Sequence, residues 1–185
     1  MTDINIQRPP GDPDSKGAEG TSPAPRSGEL RWDIIELLFF AYRDFVGDAD
    51  HELEAFGFGR AHHRVMHFVH RYPGLKVADL LDVLRITKQS LGRVLKQLLD
   101  EGYVLQKEGE NDRRQRLLYV TPKGEQLAMK LAGLQTERIA RALGEIGPNA
   151  HEAARRFLVA MIDADSRDDV QKLITRADRA RRPRS

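Results

Sequence analysis

The chain has 185 residues, enough for one ordinary domain or for one domain with a dimerisation extension. Apolar residues make up 40% of it, which permits a core, and the net charge of +2 confines any surface for nucleic acid to a local patch. There is no cysteine, which excludes disulfides, thiolate metal ligands and a thiol redox switch; no apolar run approaches the ~20 residues that span a bilayer; and no secretory leader opens the sequence, so the expected location is the cytoplasm.

Residues 1–27 read as a disordered tail. Pro9, Pro10, Pro13, Pro23 and Pro25 sit among Gly, Asp and Ser, and only Ile4 and Ile6 are large and apolar. Such a segment cannot bury enough surface to offset its ordering entropy, and it is too poor in bases for an arm that enters DNA. Residues 28–57 then predict a long helix over Glu29–Phe56, with an interruption near Gly47. Trp32, Ile35, Leu38, Phe39, Tyr42, Phe45 and Val46 make an apolar stripe flanked by Ile34, Leu37 and Phe40. A helix this apolar is buried on more than one side, and a second copy of the chain is the simplest cover for it.

After Phe58-Gly59 the spacing predicts a helix over Arg60–Tyr72, with Val65, Phe68 and Val69 inward and Met66 at the margin. This helix holds four of the six histidines. His63, His67 and His70 share a face, with His62 beside them. Imidazoles one turn apart can chelate a metal, but no further ligand lies at a fixed short spacing, so packing and hydrogen bonding between helices is the preferred reading and no metal or other cofactor is expected.

Residues 58–124 hold the organising unit. Pro73-Gly74 turns the chain, and Leu75–Val77 is a candidate short strand. Val77, Leu80, Leu81 and Leu84 give a short helix at helical spacing. Thr87 follows as a candidate N-cap, then Leu91, Val94, Leu95, Leu98 and Leu99 form the buried stripe of a second helix. Lys88, Gln89, Gly92, Arg93 and Lys96 fall on its other side, and Gly102 stops it as a left-handed cap. Polar side chains in the first turn with bases behind them suit a helix that enters a major groove by its N-terminus. Tyr103–Lys107 and Arg116–Val120 have strand composition, separated by the polar, turn-prone stretch 108–115. Helix, turn, helix, hairpin is a winged helix-turn-helix, and the expected fold is mainly α with a small β wing. From Arg85 to Gly124 nine bases meet five acids, a larger excess than that of the whole chain. That is the local footprint of a phosphate-contacting surface, although Lys107 and Lys123 read better as solvated surface.

Ile86-Thr-Lys-Gln-Ser-Leu-Gly-Arg-Val-Leu-Lys-Gln-Leu-Leu-Asp-Glu-Gly102, followed by Asp112-Arg113-Arg114 and Val120-Thr121-Pro122-Lys123-Gly124, resembles the MarR family of bacterial transcriptional regulators. The family's wing signature is Asp-x-Arg, a short strand, then Leu-Thr-x-x-Gly, and this chain departs from it only by Val120 in place of Leu. The resemblance runs with lower specificity from about Glu29 into the helices after Gly124 and covers neither tail. It implies a homodimer in which the first and last helices interdigitate, bound to double-stranded DNA, with repression of a promoter as the usual mode. It implies that Thr87, Lys88, Gln89, Ser90 and Arg93 read or position the recognition helix, that Arg113, Arg114 and Arg116 form the wing contact, and that Asp112 braces the wing. A surface ion pair with Asp112 is the competing reading of Arg114. Family ligands often bind between the first two helices and the dimerisation helices, which makes the surroundings of His62 and His63 a candidate pocket for a small-molecule effector.

Residues 125–178 read as dimerisation helices. Glu125–Ile146 is amphipathic and ends at Gly147-Pro148. Asn149-Ala-His-Glu152 resembles a capping box for a helix carrying Phe157, Leu158, Met161 and Ile162. Ser166-Arg-Asp-Asp169 is the candidate start of a last helix with Val170, Leu173, Ile174 and Ala177, and 179–185 is a basic tail. Two rival functions remain: an enzyme or metal-binding protein built on the histidines, which lacks a nucleophile–base arrangement or a Gly-rich phosphate loop, and a winged helix used only for protein contacts, which does not need bases at the helix start and wing tip.

Overall fold

The structure, a computed structural model, describes residues 29–109 and 112–181; the N-terminal tail 1–27 and the last residues of the basic tail lie outside it. Helix α1 spans Trp32–Glu54 and runs through Gly47 without the interruption expected there. Its C-terminal half buries Val46, Ala49 and Leu53. Its N-terminal half leaves Trp32 61% and Phe39 72% exposed, along with Ile35, Leu37, Phe40 and Tyr42.

Helix α2, Arg60–Arg71, lies at the centre and packs against α1, the helix-turn-helix and the sheet. With neighbours on several sides its buried arc is wider than a single stripe. Met66, expected at the margin, is fully buried, whereas Phe68 is only half-buried. Strand β1 is Leu75–Lys76, and α3 follows as Val77–Leu84. Arg85 takes the left-handed conformation (φ 50°) that turns the chain, and α4 runs Lys88–Asp100. Its apolar side, Leu91, Val94, Leu95 and Leu98, is buried as the spacing predicts. Gly102 (φ 73°) reverses the chain into β2, Val104–Glu108, which pairs with β3, Arg116–Val120. The sheet order is β1-β3-β2, antiparallel throughout, with Leu75 opposite Leu118 and Val104 opposite Val120.

Helix α5, Pro122–Ile146, begins three residues before the expected Glu125. Thr121 caps it by accepting a hydrogen bond from the Gly124 amide (3.1 Å), and Pro122 occupies the first turn, where its missing N–H costs nothing. Gly124 is pressed onto the Tyr103 carbonyl; a Cβ there would overlap the oxygen. The Thr121 hydroxyl donates to the Gly102 carbonyl at 2.7 Å, so this turn fastens the end of α4 to the start of α5. The fully buried Leu53, Met66, Leu80, Leu91, Leu98, Leu118 and Leu131 come from α1, α2, α3, α4, β3 and α5, and they form the single core where these elements meet. Each such side chain contributes about 1.5–3 kcal/mol by leaving water.

Beyond the core, Arg138 of α5 donates to Asp48 of α1 (2.9 Å), and Lys130 pairs with Glu52. Helix α6 is Ala150–Met161 and α7 is Ala164–Arg181. Two expectations are corrected here. Asn149 precedes α6 in a left-handed conformation (φ 69°) and makes no side-chain cap, so the capping box does not form. Helix α7 starts before Ser166, whose amide donates to the Asp163 carbonyl, and it continues through 179–181, which had read as tail. Among the described residues no helix is long and apolar enough to cross a membrane.

Candidate nucleic-acid interface

The first turn of α4 is built by two hydroxyls. Thr87 Oγ1 accepts from the Ser90 amide (3.1 Å) and donates to Ser90 Oγ (2.9 Å). Both residues therefore position the helix. Lys88, Gln89 and Arg93 are exposed, and among the described residues no hydrogen bond or ion pair engages their side-chain ends. Lys96, one turn further, pairs with Asp100 on its own helix.

The orientation of α4 is set from α2. The Gly59 amide donates to His62 Nδ1 (3.1 Å), and His62 Nε2 lies 2.9 Å from Gln97 Oε1. An accepting Nδ1 leaves the proton on Nε2, so His62 donates to Gln97. Gln97 in turn donates to Glu101 (2.9 Å), and His62 stacks on Phe58 with ring centroids 4.7 Å apart. Arg64 Nη2 donates to the Leu84 carbonyl at the end of α3 (2.9 Å). Gln97 and Arg64 hold the reading head in place, yet sequence spacing alone did not single them out.

In the wing, Asp112 Oδ1 accepts from the Arg114 backbone amide at 3.0 Å, and the Asp112 carbonyl accepts from Gln115 at 3.0 Å. This closes a tight turn below the exposed Arg113 and Arg114. Among the described residues no ion pair joins Asp112 to the Arg114 guanidinium; the acid is used by the backbone. Gly109 is buried in the same turn, where a Cβ would come 2.8 Å from the Asp112 carbonyl oxygen. Arg116 is different: it stands opposite Glu108 across the hairpin and bonds it at 2.9 Å. Lys107 lies over the Tyr119 ring, and Lys123 lies over Tyr103 at 4.0 Å and donates to the Glu101 carbonyl. Among the described residues, Lys88, Arg93, Arg113 and Arg114 thus remain uncommitted at the helix start and wing tip.

The two histidines of the candidate effector pocket part company. Both ring nitrogens of His62 are engaged, Nδ1 by the Gly59 amide at the start of α2 and Nε2 by Gln97 of α4. His63 is buried and lines a cavity of about 210 Å³ with Tyr42, Phe45, Val46, Phe68 and Gln135. Burial holds its pKa below the usual imidazole value, and the Asp50 charge partly opposes that shift. Among the described residues no group of three or more His, Asp or Glu side chains could hold a metal ion.

Comparison with known proteins agrees with the fold. The sequence model of the MarR family matches residues 56–115, from the turn before α2 to the end of the wing tip. The HTH-type transcriptional regulator PetP of Rhodobacter capsulatus is 45% identical over 139 residues, 75% of this chain and 84% of that protein. Among solved structures, the transcriptional regulator SlyA superposes with a TM-score of 0.62 at 16% identity, covering 76% of this chain and 99% of that one. A S. aureus MepR–DNA complex superposes with a TM-score of 0.58 at 18% identity, covering 72% and 98%. PetP and SlyA are transcriptional regulators, which gives the histidine-based catalyst no support. With PetP similar along most of its length and the winged helix-turn-helix complete, the chain belongs to the MarR family of transcriptional regulators.

Proposed function

We propose that the protein is a homodimeric repressor that reads a pseudo-palindromic operator in double-stranded DNA. The observation that carries this is the pairing of an uncommitted Lys88, Gln89 and Arg93 at the start of α4 with an uncommitted Arg113 and Arg114 on a braced wing. Gln89 is suited to paired hydrogen bonds with adenine in the major groove, and a wing guanidinium is suited to a narrow minor groove. Thr87 and Ser90 hold the reading turn, and Arg116 stiffens the hairpin through Glu108. The MepR and FabT structures similar to this chain were solved with DNA, which supports the same partner here. The bare apolar faces of α1, and of α5 and α6 at Ile139, Ile146, Phe157 and Leu158, support the second copy.

A small-molecule effector in the cavity beside His63 is the proposed control. Its walls are aromatic, apolar and cationic at Arg64, which suits an anionic aromatic compound. The test is selection of genomic fragments by the purified protein, with light scattering on the same sample. Two-fold symmetric sites with half-sites roughly 34 Å apart are expected, together with twice the 21.0 kDa chain mass. A folded monomer, or DNA binding without sequence preference, overturns the reading.

A further inference from the structure

We propose that Gly92 is the seat of α4 on DNA: a position kept without a side chain so that the recognition helix can settle its backbone against the groove of a specific site. The inference rests on the operator-binding function proposed above.

Gly92 lies in the middle of a 13-residue helix and is exposed. Beyond its own turn of helix, a Cβ built on it would meet nothing in the described structure within 4 Å, and its φ is not positive, so alanine would fit without strain. Glycine is the poorest helix former after proline, because it leaves the backbone freest in the unfolded chain. No contact among the described residues explains it. Its neighbours do: one turn before it stands Lys88, one turn after it Lys96, and Gln89 and Arg93 stand alongside, all exposed. Gly92 is the gap among these exposed long side chains of α4. A major groove about 12 Å wide receives a helix of about 10–12 Å with little clearance, so the loss of one side chain decides how deep the helix sits. Close approach of backbone to a ligand is a standard use of glycine. The other open helical glycines, Gly47, Gly133 and Gly144, lie on α1 and α5, the helices proposed to meet a second copy.

A loosely held, nonspecific complex depends on phosphate contacts made by long cationic side chains and does not need this seat. The loss on filling the notch therefore falls on the specific complex and grows with the size of the group added.

The experiment uses the full chain and the operator that the wild type selects from genomic fragments. Gly92→Ala and Gly92→Val are melted at one protein concentration and titrated with operator and with scrambled DNA. Gly92→Ala should melt about 2–4 °C above wild type. It should bind operator roughly tenfold or more weaker, the scale of a mismatched base pair, and scrambled DNA within about twofold. Gly92→Val, with a helix propensity nearer glycine's, should melt close to wild type and bind operator more weakly still. Operator affinity equal to wild type in Gly92→Ala overturns the inference alone. So does an equal loss on both DNAs, or a melting temperature below wild type. A wild type without sequence preference overturns the regulator function and this inference together.

Discussion

Replacing Arg114 by alanine separates the two arginines that the wing holds in different ways. The Arg114 amide donates to Asp112, so the turn keeps its shape without the guanidinium. That guanidinium is exposed and, among the described residues, unpaired. A well-formed arginine contact contributes about 1–3 kcal/mol. A symmetric dimer would lose two, about 2–6 kcal/mol, or roughly 30-fold to 20,000-fold in Kd. With two fewer cations brought to the DNA, fewer counterions are released, which should also shallow the logarithmic salt slope, by up to about 1.8. Arg116→Ala should do much less, because Glu108 already neutralises that side chain at 2.9 Å. Arg114→Lys should recover only part, since a hydrated ammonium enters a narrow groove less readily. The assay is fluorescence anisotropy with operator at several salt concentrations, with circular dichroism to confirm the fold. An unchanged Kd and slope in Arg114→Ala, or equal damage from Arg116→Ala, would refute the argument.

Three further outcomes follow from the packing. Gly124→Ala forces a methyl into the Tyr103 carbonyl and should destabilise by about 3 kcal/mol, read as a lower urea midpoint; a midpoint equal to wild type would mean the turn yields freely. His63 has its pKa lowered by burial, so its contribution to stability is fully present above the unfolded value near 6.5 and is lost as pH falls through the lower folded value; His63→Gln should flatten the fall in melting temperature on acidification, and an unaltered pH profile would exclude His63 as its source. Phe39→Asp places a charge on a side chain that is 72% exposed in the single chain; light scattering should show the dimer weakened or lost with helical content kept, and an intact dimer would move the proposed interface elsewhere.

The reading head was legible because its signals are local. The Thr87 cap, the 91–99 stripe, the Gly102 stop and the two strands each rest on residues within a few positions of one another, and all appear in place. The start of α5 was misplaced although the same signal was present: Thr121 caps as Thr87 does, and Pro122 marks a first turn. Asn149 failed as a capping box because a left-handed backbone turns its side chain away from the amides it would have capped. Distance in sequence hid the rest. His62 and Gln97 are 35 positions apart, and only the crossing of α2 and α4 brings them together, so a histidine that could have read as a ligand is a strut. Arg116 looked equivalent to Arg114 until the hairpin register set it opposite Glu108. The bare face of α1, exposed at Trp32, Leu37 and Phe39, is the expected apolar stripe without a cover among the described residues of its own chain.

The His62 link has a mechanical consequence. It ties α4 to α2 through one direct side-chain hydrogen bond, from His62 to Gln97, and α2 is clasped by α1 and α5. A roll of the recognition helix about its own axis would break that bond, so in the proposed dimer each reading head would move as one stiff jaw. The adjustable part of such a caliper would be the joint between the two chains. DNA offers its grooves at a fixed pitch of roughly 34 Å, so a small change in gape at that joint takes both jaws out of register together. A compound wedged beside His63, against α1, would act on the hinge and never need to touch a base.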